Sequence, residues 1–182
     1  MAGNKTASDD TVEMVLTAIA ADRPGLVKQL SDVVVQHSGN WIDSSMARLG
    51  GEFAGIVHIT VPREQAEPLA ADLAKLSADG IAITLRQDAR TKAPAGDHVR
   101  LELTGVDHPG IVLEVTRALE AHGVSIDELQ TNVFPASMTG EAMFSAKAGL
   151  VLPAGLSMAD LRATLEHIAG DIMVDIELMV SK

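Results

Sequence analysis

Apolar residues recur along this chain every second position, then every third or fourth, and this change of period runs through the sequence twice. Met14, Leu16 and Ala18 alternate with Glu13, Val15 and Thr17, as in a strand with one face covered. Leu26, Leu30, Val33 and Val34 then fall on one stripe of a helix. A hairpin follows: Asn40 to Leu49 and Phe53 to Val61 flank Gly50-Gly51, a pair that supplies the positive φ a tight turn needs. Leu69, Leu73 and Leu76 mark a second helix, and Ile81, Ile83 and Leu85 a closing strand. The same order returns with Val99, Leu101 and Leu103, then Ile111, Val115, Ala118 and Leu119, then Leu161, Leu165 and Ile168. It closes on Ile172, Val174, Ile176, Leu178 and Val180. Ser157 with Asp160 reads as a capping-box variant at the start of the fourth helix.

The recurrence extends to residue identity. Asp22-Arg23-Pro24-Gly25-Leu26-Val27 reappears 85 residues later as Asp107-His108-Pro109-Gly110-Ile111-Val112, and His37 as His122. Ile42-Asp43 reads as the match of Ile126-Asp127 at an offset of 84, which predicts a one-residue deletion near Gly39 and Gly123. Phe53 then matches Phe144, and Val61-Pro62 matches Leu152-Pro153, at an offset of 91, so seven inserted residues are expected in the second hairpin, Pro135 to Glu141. Two βαββαβ units predict an α+β fold of two tandem ferredoxin-like modules, each a four-stranded antiparallel sheet with two helices on one face. The boundaries expected are a disordered tail over 1–10, a first module over 11–87, a polar linker over 88–97 and a second module over 98–181. Alternation leaves Ile42, Met46, Ile56, Met173 and Met179 on the bare sheet faces, which predicts packing between modules or subunits.

Composition narrows the function. With 47% hydrophobic residues but only three Phe, one Trp and no Tyr, the cores must be aliphatic. The net charge is −11, with 9 basic against 13 acidic residues over 1–97 and 5 against 12 over 98–182. Basic residues stand singly among carboxylates, so neither half offers the cationic patch a nucleic acid requires. A sheet that reads RNA by stacking bases also needs more aromatics than these. The absence of Cys removes thiol chemistry and thiolate metal sites. His37, His58, His98, His108, His122 and His167 form no zinc-type pair with a nearby Glu, so no metal and no cofactor are expected. No nucleophile elbow, phosphate loop or dinucleotide fingerprint is present, which leaves no catalytic residue to assign. Acylphosphatases share this strand and helix order, but their signature is missing around the first loop. No apolar run is long enough to span a bilayer, and the polar, acidic N-terminus is unlike a secretion signal, so the expected location is cytoplasmic.

The two Asp-x-Pro-Gly junctions are the candidate site. A helix start presents unpaired amides and a partial positive charge, suited to a carboxylate, and glycine lets a ligand approach the backbone. The expected ligand residues are Asp22, Arg23, Pro24, Gly25, Leu26 and Val27 in the first module and Asp107, His108, Pro109, Gly110, Ile111 and Val112 in the second. Acceptors for an ammonium are expected from Asn40 and Asp43, and from Ser125 and Asp127, at the start of the neighbouring strand. Trp41, matched to Ser125, is expected to pack, yet near enough to the ligand to serve as an optical probe. His37 and His122 read as structural residues at matching helix ends.

These residues carry a family resemblance. Ala20-Ala21-Asp22-Arg23-Pro24-Gly25-Leu26-Val27, Asn40-Trp41-Ile42-Asp43-Ser44 and Arg48-Leu49-Gly50-Gly51-Glu52-Phe53 resemble tandem ACT-domain proteins, and among them the glycine cleavage system transcriptional repressors. Asp107-His108-Pro109-Gly110 and Ile126-Asp127-Glu128-Leu129 carry the likeness into the second half, so it spans about residues 12 to 180. The resemblance implies a non-catalytic regulator that binds a small amino acid, glycine first among them, at ACT-module interfaces. It also implies control of a separate protein, a transcriptional activator of glycine cleavage genes, without direct contact to nucleic acid or membrane. A homo-oligomer is expected, a dimer in the first instance. The alternatives are an interaction module indifferent to amino acids and an allosteric subunit of a metabolic enzyme.

Overall fold

The computed structural model describes residues 10–87 and 95–180, and the chain divides into two compact units within the segment between them. The first holds β1 (Thr11–Ala21), α1 (Leu26–Gln36), β2 (Asn40–Leu49), β3 (Glu52–Pro62), α2 (Ala66–Lys75) with a 3-10 turn at Leu76–Asp79, and β4 (Ala82–Gln87). The second holds β5 (Asp97–Val106), α3 (Ile111–Ala121), β6 (Ser125–Pro135), β7 (Ala142–Leu152), α4 (Met158–Ile172) and β8 (Val174–Val180). Sheet orders are β2-β3-β1-β4 and β6-β7-β5-β8, all neighbours antiparallel. The α+β reading of two ferredoxin-like modules holds. Residues 1–9 of the expected tail and 88–94 of the expected linker lie outside the described residues, while Asp97, read as linker, already opens β5.

Each core is the product of the two periods. In β1, Val12, Met14, Leu16, Ala18 and Ala20 are buried, and Leu26, Leu30 and Val34 of α1 and Leu69 and Leu73 of α2 cover them. The second core repeats this with Val99, Leu101 and Leu103 beneath Ile111, Val115, Leu119, Leu161 and Leu165. No polar side chain is buried among the described residues. Trp41 fills the edge of the first core opposite Ile59 on β3, as expected of a packing residue.

Strand pairing corrects the alignment of the two copies. Trp41 faces Ile59 and Ile126 faces Leu150, the residue 91 positions on, so Ile126 and not Ser125 is the counterpart of Trp41. Left-handed Ser38 (φ 55°) likewise matches left-handed Gly123 (φ 67°). The offset of 85 therefore holds through β2, no residue is deleted near Gly39, and the second hairpin gains six residues rather than seven. Pro135, assigned to the insertion, ends β6. Both copies carry a bulge at the equivalent position, Ile42 in one and Asp127 in the other, so the Ile-Asp match at 84 is a coincidence of residue identity one position out of step.

Two residues leave the face alternation assigns to them, and a third leaves its expected strand. Met46 lies across from Gly55 and packs on the helix-covered core, because the bulge at Ile42 inverts the alternation after it. Met173 is the left-handed C-cap of α4, and Ile172 is that helix's last residue instead of the start of a strand. Ile56 and Met179 remain exposed on the uncovered faces, with Ile19 beside Ile56's strand partner Thr17.

Candidate ligand site at the strand-to-helix junctions

β1 ends at Ala21 and α1 starts at Leu26, so four residues turn the chain from sheet to helix. Gly25 makes the turn at φ 92°, a left-handed conformation that L side chains rarely adopt. Gln29 N–H donates to the Gly25 carbonyl at 2.9 Å, the first bond of the helix. The amides of Leu26, Val27 and Lys28 precede that bond, and no side chain caps them. Gly110 (φ 106°) begins α3 in the same way, with Glu114 N–H donating to its carbonyl at 3.0 Å and again no side-chain cap. α4 differs, since the Asp160 N–H donates to Ser157 Oγ at 3.1 Å while that hydroxyl donates to Asp160 Oδ2 at 2.7 Å. α2, which continues from a 3-10 turn, also lacks a side-chain cap, so what sets the two candidate starts apart is an uncapped end together with a left-handed glycine.

An open depression of about 510 Å³ sits at the first junction, lined by Asp22, Arg23, Gly25, Leu26, Val27, Lys28, Arg48 and Phe53. The hairpin turn is anchored beside it, with the Asp22 N–H donating to the Gly51 carbonyl at 2.9 Å. That contact carries Arg48 to Asp22, and its Nε donates to Oδ2 at 2.7 Å. A cation and a carboxylate thus stand paired at the mouth of the amide cradle. The second junction has a depression of similar size, about 540 Å³, lined by Asp107, His108, Gly110, Ile111, Val112, Leu113, Thr116 and Phe144. Its chemistry is different. Leu113 replaces Lys28, and Val133, paired with Phe144 as Arg48 is with Phe53, takes the place of the arginine.

The structure rearranges the expected set. Arg23 borders the depression, but its guanidinium is held by α1 and the end of the second helical segment, Nη2 donating to Gln29 Oε1 at 3.0 Å and to the Asp79 carbonyl at 3.2 Å. His108 does the corresponding work in the second module. Asn40 and Asp43 stand at the other end of the sheet: Asn40 faces Thr60 and Asp43 faces His58, whereas the cradle adjoins Phe53. At about 3.4 Å per residue they lie roughly 15–25 Å from it within the module. The same holds for Ser125, which faces Val151, and for Asp127, the bulge residue, with Phe144 at the cradle. In a βαβ path with parallel strands the helix returns to the far end before the next strand starts, so a strand start lies at the opposite end of the module from the helix start. Asp43 meets His58 at 3.7 Å and Asp127 meets His98 at 3.4 Å. Trp41, in the same part of β2, is likewise no probe of the cradle.

The expected set leaves out Lys28, Arg48 and Phe53 at the first depression and Leu113, Thr116 and Phe144 at the second. The available signal was topological: β3 pairs with β1, so the Gly50-Gly51 turn is brought to the end of β1. His37 and His122 are structural as expected, by side-chain bonds between the helices of each module. His37 lies between Gln65 Oε1 (3.0 Å) and Asp72 Oδ2 (2.9 Å), and His122 Nε2 is 3.0 Å from Thr164 Oγ1. The bond to Gln65, helped by Asp72 against partial burial, raises the His37 pKa above its ordinary value.

Known proteins resemble this chain throughout its length. Residues 13–85 match the ACT domain family model. The glycine cleavage system transcriptional repressors of Escherichia coli (strain K12) and Shigella flexneri are each 26% identical over 161 residues, 87% of this chain and 85% of theirs. A crystal structure of an unknown protein from Galdieria sulphuraria is 28% identical and superimposes with a TM-score of 0.84, over 95% of this chain and 100% of that one. The crystal structure of a candidate glycine cleavage system transcriptional repressor shares the fold at 18% identity, with a TM-score of 0.70 over 94% of this chain and 98% of that one. No helix among the described residues is long and apolar enough to cross a membrane. The first module matches the ACT domain family model and the second repeats its topology strand for strand, so the chain resembles tandem ACT-domain proteins, the glycine cleavage system transcriptional repressors among them.

Proposed function

We propose that the protein is a non-catalytic sensor of a small amino acid, that the first module's cradle is its ligand site, and that it controls a protein partner by contact. The observation that carries this reading is the Asp22–Arg48 pair, 2.7 Å apart, beside the uncapped amides of Leu26, Val27 and Lys28. A zwitterion replaces such a pair charge for charge: its carboxylate takes Arg48 and the amides, and its ammonium takes Asp22. No Ser, Thr, Cys or His lines this depression, and its Asp22 and Lys28 are held in ion pairs with Arg48 and Asp32, which favours binding without chemistry. The relatives are named for glycine cleavage, so glycine is the first ligand to test and a transcriptional activator of glycine cleavage genes the first partner. Binding shifts the partner-competent population only if one arrangement takes the ligand better than another. The second cradle keeps Asp107 but has Val133 and Leu113 for cations, which favours an amino-acid-independent interaction role for that module.

Calorimetric titration of the common amino acids tests the proposal. Saturable binding of one or a few small amino acids is expected. Arg48→Met, which keeps the length of the side chain and removes its charge, should weaken that binding by about 10- to 100-fold, the worth of a charge-assisted hydrogen bond of about 1.5–3 kcal/mol. No binding by the wild type, or equal binding by the variant, overturns the site.

A further inference from the structure

Both ring nitrogens of His108 face carbonyl oxygens, Nε2 at 2.8 Å from Ile172 O and Nδ1 at 3.2 Å from Pro109 O. A neutral imidazole has a single N–H, so it satisfies one acceptor and turns a lone pair toward the other. The imidazolium donates to both. Ile172 is the last residue of α4, where carbonyls lack intrahelical partners and the dipole favours a cation. The first module meets the same need with a permanent cation. Ile19 pairs with Ala82 and its counterpart Thr104 with Asp175, so Asp79 and Ile172, three residues earlier in each copy, are equivalent. Arg23 donates to Asp79 O just as His108 donates to Ile172 O.

We propose that His108 is a proton-operated latch: charged, it ties the second module's strand-to-helix loop to the end of α4, and neutral, it gives up one of its two anchors, while Arg23 holds the first module's loop regardless of pH. The charges around it support this. Its pKa is raised first by the Ile172 bond, then by the Pro109 bond, with Asp107 adding to both and partial burial opposing. The exposed Asp171 immediately precedes the accepting carbonyl on α4. The cations of the packed helices are engaged elsewhere, Arg117 on Glu114 and Arg162 on the Leu178 carbonyl. Because the folded-state pKa is raised, the latch contributes its full stability below the unfolded-state value and loses it as pH rises through the folded-state value. The inference rests on hydrogen-bond geometry, so it stands whether or not an amino acid binds in either module.

The test is an NMR titration of the imidazole resonances in the full chain, paired with thermal unfolding of wild type and His108→Arg. His108 is expected to titrate above the about 6.5 of a free histidine, with both ring nitrogens protonated below its midpoint. His108→Arg should remove this residue's share of the fall in unfolding midpoint between about pH 6 and 8. A His108 midpoint at or below the free value overturns the latch, as does a folded His108→Arg variant with the wild-type pH slope. If the arginine variant fails to fold, the wild-type titration alone decides.

Discussion

Ser38 and Met173 hold left-handed backbone, φ 55° and 53°, at positions where the sister module has glycine, Gly123 and Gly80. A side chain there costs about 1–2 kcal/mol, partly recovered because glycine loses more entropy on folding. Ser38→Gly and Met173→Gly are each expected to stabilise the protein by roughly 0.5–1 kcal/mol, read from denaturant unfolding midpoints. Gly25 argues the same physics in reverse. Nothing lies within 4 Å of a Cβ built on it, yet its φ of 92° strains any replacement, so a bulky residue there disturbs the backbone as well as the cradle. Arg48→Met is the cleaner probe for that reason. His37, nearly covered between Gln65 and Asp72, has a raised pKa and so lends stability that is complete at low pH and fades as pH rises through its folded-state value. Unfolding of the first module, followed by Trp41 fluorescence, should show that fall, and His37→Gln should flatten it.

Among the elements, the helix starts divide by how they are closed. Ser157 caps α4 with its own oxygen, whereas α1 and α3 begin at left-handed glycines with open amides. Ser157→Ala is expected to cost about 1 kcal/mol, measured by chemical denaturation. Sequence reading found all of these starts, because Pro-Gly and Ser-x-x-Asp act within a few residues. It misplaced the edge strands. A bulge adds one residue without altering the alternation seen in sequence on either side, so Ile42 and Asp127 shifted the register and sent Met46 to the wrong face. Ile172 ends α4, yet an apolar residue at a helix end fits both periods, so alternation alone places it in the strand that follows.

Over the whole chain, two separate aliphatic cores carry the stability, and each can be addressed by itself. Leu69 is fully buried in the first and Leu161 in the second. Leu69→Ala should lower the stability reported by Trp41 fluorescence by about 2–5 kcal/mol, the usual cost of emptying a covered leucine site, while Leu161→Ala acts on the other core. The twofold architecture was legible in advance because burial imposes its period on every residue of an element, so dozens of positions repeat one message. The candidate site was legible by half. Its amides and glycines lie in one short motif, but Arg48 reaches Asp22 only through the pairing of β3 with β1.

Local chemistry therefore settled the elements, their order, their duplication and the left-handed turns at Gly25 and Gly110, since these depend on residues a few positions apart. Folding alone settled which distant groups meet. It put Asn40 and Asp43 at the wrong end of the sheet for the cradle and brought Arg48 to it, and it set Arg23 and His108 against the ends of helices more than 50 residues away. Sequence distance carries no measure of such contacts, because antiparallel pairing and the return of each helix across its sheet decide them together.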